Sequence, residues 1–307
     1  MSEPVNIHFF CSGERIRAWH FAPASDALRS IAGSPAIVMG HGYGLTRDCG
    51  LAWFARAFAA AGVHVVLFDY RGFGDSEGHP RDVPRVDAQV EDYGAAIAAA
   101  RRLSGVDPSR VAVWGTSYSG GIALVAAAQD GRVAAAVAQV PNLDNRATLA
   151  FLIRNTPPRR ALRLTGWIIH DGIRALLRRP PAYVKAVGTG TEAAAYVSDE
   201  AAAVLEEIRG PGWANQVAMR DFLRPRLFRP VTILDRLPCR VLFVTADKDD
   251  LTPVAPTVKA ARSLGPRAEL RRYPVGHFGV YVEPLRSEAI ADQSAFLASE
   301  LAPEIAA

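Results

Sequence analysis

Short apolar runs alternate with longer stretches of helical spacing along most of this chain. Runs at residues 16–21, 36–39, 63–69, 111–114, 133–140, 241–245 and 268–273 have the length and composition of strands, and several are apolar throughout, as buried strands are. Between them, residues 51–61, 86–103, 119–129, 253–263 and 284–301 have the length and composition of helices. Strand–helix–strand alternation predicts an α/β fold: a mostly parallel sheet of about eight strands covered by helices on both faces. A run at 7–11 is separated from 16–21 only by Ser12-Gly13-Glu14-Arg15, so the sheet is expected to open with an antiparallel hairpin.

The rhythm stops after Pro141 and resumes at Arg240. The intervening stretch shows no clear strand, is interrupted by Pro157-Pro158, Pro180-Pro181, Pro211 and Pro230, and has helical patterns at 160–177, 192–207 and 215–223. A structureless loop of that length is improbable in a compact domain. The expected organisation is a core of residues 1–141 and 236–307 carrying a helical insertion at 142–235.

Composition narrows the class. The chain has 307 residues, 50% of them hydrophobic, which excludes disorder and supports a large core. The longest uninterrupted apolar stretch, 120–128, is far short of the roughly 18 residues a bilayer span needs, so no stable membrane insertion is expected. The first residues lack the basic start and apolar region of a signal peptide, and the three cysteines are too few and too scattered for a disulfide framework. The expected location is the cytoplasm. The net charge is +4, but only Lys185, Lys248 and Lys259 are lysines among 35 basic residues. That arginine bias, alongside abundant alanine, reads as codon usage, and no nucleic-acid partner is expected. One segment is locally basic: Arg154, Arg159, Arg160, Arg163, Arg174, Arg178 and Arg179 face a single acid, Asp171. A solvated helix face is the expected reading there.

The sharpest chemical signal is Gly115-Thr116-Ser117-Tyr118-Ser119-Gly120-Gly121, placed between a buried strand and an apolar helix. A serine flanked by small residues at such a junction is a nucleophile elbow, because the sharp turn exposes the hydroxyl only if strand and helix approach closely. Ser119 occupies a position that is usually glycine. The turn also leaves the Tyr118 N–H at a helix N-terminus, where it can stabilise an oxyanion. A serine hydroxyl needs a base and an orienting carboxylate. His277 lies in a Gly-His-Phe-Gly loop directly after the last strand, and Asp247, Asp249 and Asp250 crowd the loop after residues 241–245. The order serine, acid, histidine, each following a strand, joins them into one candidate triad. The chain shows no metal-ligand spacing and no phosphate-cradling glycine motif, so no metal or cofactor is expected.

The elbow and this chain order resemble the α/β-hydrolase superfamily, as do Met39-Gly40-His41-Gly42-Tyr43-Gly44 and the stretch from Asp69 to Ser76. The resemblance spans nearly the whole chain. It implies that His41 to Gly44 form an oxyanion loop, with the Tyr43 N–H converging on that of Tyr118 and His41 orienting the loop. The family's acid-loop pattern falls on Asp249 with Pro253 closing it, although Ala246 replaces a glycine; Asp247 and Asp250 are fallbacks and Asp144 an outside candidate. Arg71 and Asp75 are expected to hold their loop through paired hydrogen bonds. The elbow and the His-Gly-Tyr-Gly loop look most like the branch of dienelactone hydrolases and Xaa-Pro dipeptidyl peptidases, which includes polyketide-processing members.

The insertion then reads as a lid over Ser117. Its aromatics are Phe151, Trp167, Tyr183, Tyr196, Trp213, Phe222 and Phe228, mostly lid core, with Trp167, Trp213 and Phe222 as candidate substrate contacts. The expected function is a serine hydrolase of esters or thioesters acting on a moderately hydrophobic small molecule. Acyl transfer, or cleavage of amide or C–C bonds, uses the same triad; a non-catalytic binder of the same fold is the alternative from another class. A homodimer is compatible with the sequence, which does not fix the oligomeric state.

Overall fold

The computed structural model describes residues 3–223 and 228–303, without the side chains of Phe222 and Leu223. The chain begins with β1 (Val5–Cys11), β2 (Glu14–Phe21), β3 (Ser34–Gly40), α1 (Ala52–Ala60), β4 (His64–Phe68), α2 (Val86–Ala100), β5 (Val106–Thr116), α3 (Tyr118–Asp130) and β6 (Ala135–Gln139). The insertion follows with α4 (Asn145–Asn155), α5 (Pro158–Leu176), β7 (Tyr183–Gly188), β8 (Ala194–Val197), α6 (Asp199–Ile208) and β9 (Val217–Ala218). The core resumes with β10 (Arg240–Ala246), α7 (Val254–Leu264), β11 (Ala268–Tyr273) and α8 (Leu285–Glu300).

Eight strands form one sheet in the order β1-β2-β4-β3-β5-β6-β10-β11, parallel from β4 onward. β1 and β2 are an antiparallel hairpin closed by Ser12 and Gly13, both at positive φ, the backbone of a type I′ turn. Successive residues of a strand face opposite sides of the sheet, and β10 shows it: Leu242 and Val244 enter one apolar layer, Val241 and Phe243 the other. Phe54 and Phe58 of α1 close the first layer and Tyr93 of α2 the second. Full burial of a side chain the size of Phe54 contributes about 2–3 kcal/mol. The register aligns Gly40 with Phe68 and Gly115, Thr116 with Gln139, and Ala246 with Tyr273. The loops after β3, β4, β5, β10 and β11 therefore leave from one edge.

The insertion is not wholly helical, which corrects the reading of its sequence. β8, β7 and β9 make a small separate sheet. Of the expected helix at 192–207 only the part from Asp199 is helical, and the expected helix at 215–223 is β9 followed by a short 3-10 turn at Arg220–Leu223. The run Ala193-Ala194-Ala195 has high helix propensity, yet Lys185 pairs with Ala194 and Val187 with Tyr196 across β7 and β8. Tertiary pairing overrides a weak local preference. On α5, Leu164, Trp167 and Ile168 pack inward on this sheet. Asp171, the one acid of the basic segment, is buried and ion-paired with Arg220 at 2.8 Å. The outer face of α5 exposes Leu162, Ile169, Ile173 and Leu176 beside its arginines, so it is less polar than a solvated face. Among the described residues no helix is long and apolar enough to cross a membrane.

Two histidines on the neighbouring strands β2 and β4 face each other, with His20 Nε2 2.9 Å from His64 Nδ1 and the rings stacked at 5.2 Å. Burial lowers both from the ordinary imidazole value, His64 to about 4, with His20 adding to the shift on His64. Unfolded chains bind these protons near pH 6.5. The pair therefore contributes stability above that pH, and the contribution is lost as pH falls toward 4. We expect thermal unfolding scans at pH 7.5 and pH 5 to show an acid loss that His64→Gln reduces; an unchanged pH dependence in that variant would contradict the assignment.

Candidate active site

Ser117 lies where β5 passes into α3, with φ 55° and ψ −120°. A residue with a side chain rarely adopts that left-handed region, and three backbone bonds hold it there. Its N–H donates to the Gln139 carbonyl (2.8 Å), and its own carbonyl accepts from Gly120 (3.0 Å) and Asn142 (2.9 Å). The turn closes only because neighbouring positions lack side chains. A Cβ at Gly115 would lie 2.2 Å from the Ser119 carbonyl oxygen, and one at Gly120 would lie 2.8 Å from Pro141 Cβ. Ser119, where the motif departs from glycine, is buried with its hydroxyl 2.5 Å from that of Tyr70. Gly40 of the adjacent strand makes the room, since a Cβ there would lie 2.4 Å from Ser119 Oγ.

His277 follows β11 and Asp249 follows β10. His277 Nε2 stands 3.0 Å from Ser117 Oγ, and His277 Nδ1 stands 2.6 Å from Asp249 Oδ2. The Asp249 carboxylate also accepts from the N–H groups of Leu251 (2.8 Å) and Thr252 (2.7 Å) and from the Thr252 hydroxyl (2.8 Å). Burial pushes this carboxyl up, but the adjacent imidazole and the Thr252 donors outweigh it and hold Asp249 below the usual carboxylate value. An ionised carboxylate only accepts, so Nδ1 carries the imidazole proton and Nε2 is left to accept from the serine hydroxyl. That is the tautomer in which a histidine serves as a base toward serine.

The other acids are engaged elsewhere. Asp247 pairs with Arg272 at 2.9 Å, and Asp250 is exposed. Asp144 caps α4 by accepting from the Arg146 N–H and pairs with Arg229 at 2.9 Å. His41 is buried, its Nδ1 3.0 Å from the Gly42 carbonyl, and burial lowers it to about 4, so it stays neutral within its loop. Arg71 and Asp75 both brace their loop, each through partners in other segments. Arg71 binds Asp92 (2.7 Å) and Glu91 (3.0 Å), whereas Asp75 binds Arg47 (2.6 Å), whose guanidinium also pairs with buried Asp69.

Gly42, Tyr43, Thr116, Ser117 and His277 share one pocket with Leu45, Val187, Tyr196, Leu251, Phe278 and Tyr281. Tyr118 opens α3, so its N–H belongs to the first four of that helix, which have no partner within it. The Tyr43 ring packs edge-on against Tyr118 at 5.5 Å and Tyr196 at 5.6 Å. Two aromatic candidates lie outside that pocket. Trp167 packs among Val184, Ala186 and Met219 beneath α5, because its position on the helix turns it toward the small sheet. Trp213 is outside the serine pocket and instead donates from Nε1 to the Gly44 carbonyl (2.7 Å), tying the insertion to the loop that carries Tyr43. The Phe222 side chain lies outside the described residues. Two features went unread in the sequence. Thr252, three residues after Asp249, was legible as a side-chain-capped turn. A buried chain of hydrogen bonds from Trp114 through Gln293 and Gln139 to Thr116 and Tyr281 had no local signal.

The steric account of the elbow is testable without any assay of activity. Gly115→Ala should destabilise the fold by about 2 kcal/mol or more, since the added methyl meets backbone rather than a movable side chain. Denaturant unfolding measures it, and wild-type stability would contradict the packing described.

Comparison with known proteins places the chain in a family. A model of the alpha/beta hydrolase family matches residues 19–293. The quorum-quenching protein AidA of Acinetobacter baumannii is 35% identical over 296 residues, covering 96% of this chain and 94% of that protein. The polyketide transferase ATR5 of Stachybotrys chlorohalonatus is 33% identical over 71% of this chain and 72% of its own. Among solved structures, the alpha/beta hydrolase GrgF from a Penicillium species superposes with a TM-score of 0.79 at 23% identity, covering 98% of this chain and 99% of that one, a likeness of fold. The chain belongs to the alpha/beta hydrolase family.

Proposed function

We propose that the protein is a cofactor-independent serine hydrolase that cleaves carboxylic esters or thioesters of a moderately hydrophobic small molecule through an acyl-enzyme. The observation that carries the reading is the part-buried line from Ser117 Oγ through His277 to Asp249, at 3.0 and 2.6 Å. Ser117 Oγ attacks the acyl carbon while His277 Nε2 takes its proton. The amides of Tyr43 and Tyr118 stabilise the oxyanion, and its collapse expels the alcohol or thiol, which leaves with the proton from His277. A water molecule then attacks the acyl-enzyme, passing its proton to His277. Collapse of that second intermediate releases the carboxylic acid and returns the proton to Ser117. Asp249 stays charged and holds the imidazole tautomer throughout. The insertion acts as a lid, its Trp213 fixing the loop of Tyr43.

One relative bears the name polyketide transferase, and that favours a second reading in which an alcohol or amine replaces water in the second step. Both readings need the same acyl-enzyme, and product analysis with an added nucleophile separates them.

Ser117→Ala should abolish labelling by a fluorophosphonate probe, with circular dichroism unchanged; persistent labelling would move the nucleophile elsewhere. Asp249→Asn should lower kcat on an activated ester by about 10⁴-fold, whereas Asp144→Asn should retain most of the activity. The reverse ranking would sink the assignment of the acid.

A further inference from the structure

Among the described residues the serine pocket is confined. It leaves only ≈ 30 Å³ for the centres of water-sized groups, room for roughly two waters by the usual allowance. A second cavity, between β7 and α6, offers ≈ 380 Å³ by the same measure. Among the described residues Val187 alone lines both, so it stands as the wall between them. The wall is fixed from both directions. Val187 pairs with Tyr196 across the small sheet, and Asn215 grips its backbone, accepting from the Val187 N–H (3.1 Å) and donating to the Val187 carbonyl (3.0 Å). Asn215 does so at φ 43°, a left-handed conformation that asparagine tolerates better than most residues. Val187 is only 5% exposed, and a β-branched side chain has few rotamers through which to swing aside.

We propose that Val187 is the residue that sets the length of acyl group the enzyme accepts. It holds the native pocket to compact acyl chains of a few carbons, and the cavity behind it would take a longer aliphatic chain once the wall is lowered. Ala202, Ala203, Leu205 and Trp213 give that cavity an apolar lining for such a chain, beside the charged Lys185, Glu192, Asp199 and Glu206. This inference rests on the ester-hydrolase reading and specifies its substrate class.

The experiment measures kcat/KM across p-nitrophenyl esters from acetyl to decanoyl and compares the octanoyl-to-acetyl ratio among variants. Wild type should favour the short esters. Val187→Ala should raise the ratio at least about tenfold, within the range that a few methylenes in an apolar pocket supply, and Val187→Leu should lower it. Adding Ala202→Phe to Val187→Ala should return the ratio toward wild type by refilling the second cavity. Ester cleavage with the wild-type ratio in both single variants would overturn the role of Val187 and leave the hydrolase reading standing. A protein that cleaves no ester of any length and takes no fluorophosphonate on Ser117 would overturn both. If Val187→Ala does not fold, the fall in ratio with Val187→Leu decides the matter.

Discussion

A serine forced into a left-handed backbone conformation is the constraint on which the rest of this structure depends. Holding such a residue costs about 1–3 kcal/mol, and the cost persists only where the surroundings determine the conformation. Here they do. Hydrogen bonds to Gln139, Gly120 and Asn142 fix the backbone of Ser117, and bare positions at Gly115, Gly120 and Gly40 admit the sharp turn. The return on that strain is a hydroxyl projecting from the sheet edge into the pocket where His277 waits.

The remaining parts of the site follow from the parallel sheet. Strands running the same way deliver their following loops to one edge, so residues 117, 249 and 277, distant in sequence, meet there. Burial then does electrostatic work. Asp249 is removed from water yet kept charged by the imidazole and by Thr252, and an ionised acceptor on Nδ1 dictates the tautomer that leaves Nε2 free to accept. Beneath the pocket, Thr116, Gln139 and Gln293 satisfy one another's polar groups, so that the floor is rigid without being wholly apolar. Above it, a small sheet rather than a bundle of helices supplies Val187 and Tyr196, and Trp213 fastens it to the loop of Tyr43.

Much of this was legible from residue order. Buried strands announce themselves as unbroken apolar runs, and the elbow's glycines can be read because a steric need leaves a compositional trace. The opening hairpin was legible because its turn needs a residue that tolerates positive φ, and Gly13 supplies one. The three-stranded sheet of the insertion was not legible. Its strands are short, β8 is alanine-rich, and what makes it a strand is pairing with Lys185 and Val187 rather than anything local. The partners of Arg71 and Asp75 were not legible for the same reason: Asp92 and Arg47 lie in other segments, and charge alone does not say which opposite charge the fold will present. Trp167 and Trp213 look alike as apolar aromatics, yet one fills the core of the insertion and the other spends its N–H on Gly44.

The most direct test of the central claim is a crystal structure of the protein after reaction with a phosphonate ester. Phosphorus should be bonded to Ser117 Oγ, with the phosphonyl oxygen within hydrogen-bond distance of the amide nitrogens of both Tyr43 and Tyr118, and His277 still bridging Ser117 and Asp249. A phosphonyl oxygen turned away from those two amides, or an imidazole swung off Asp249 with no carboxylate replacing it, would contradict the account.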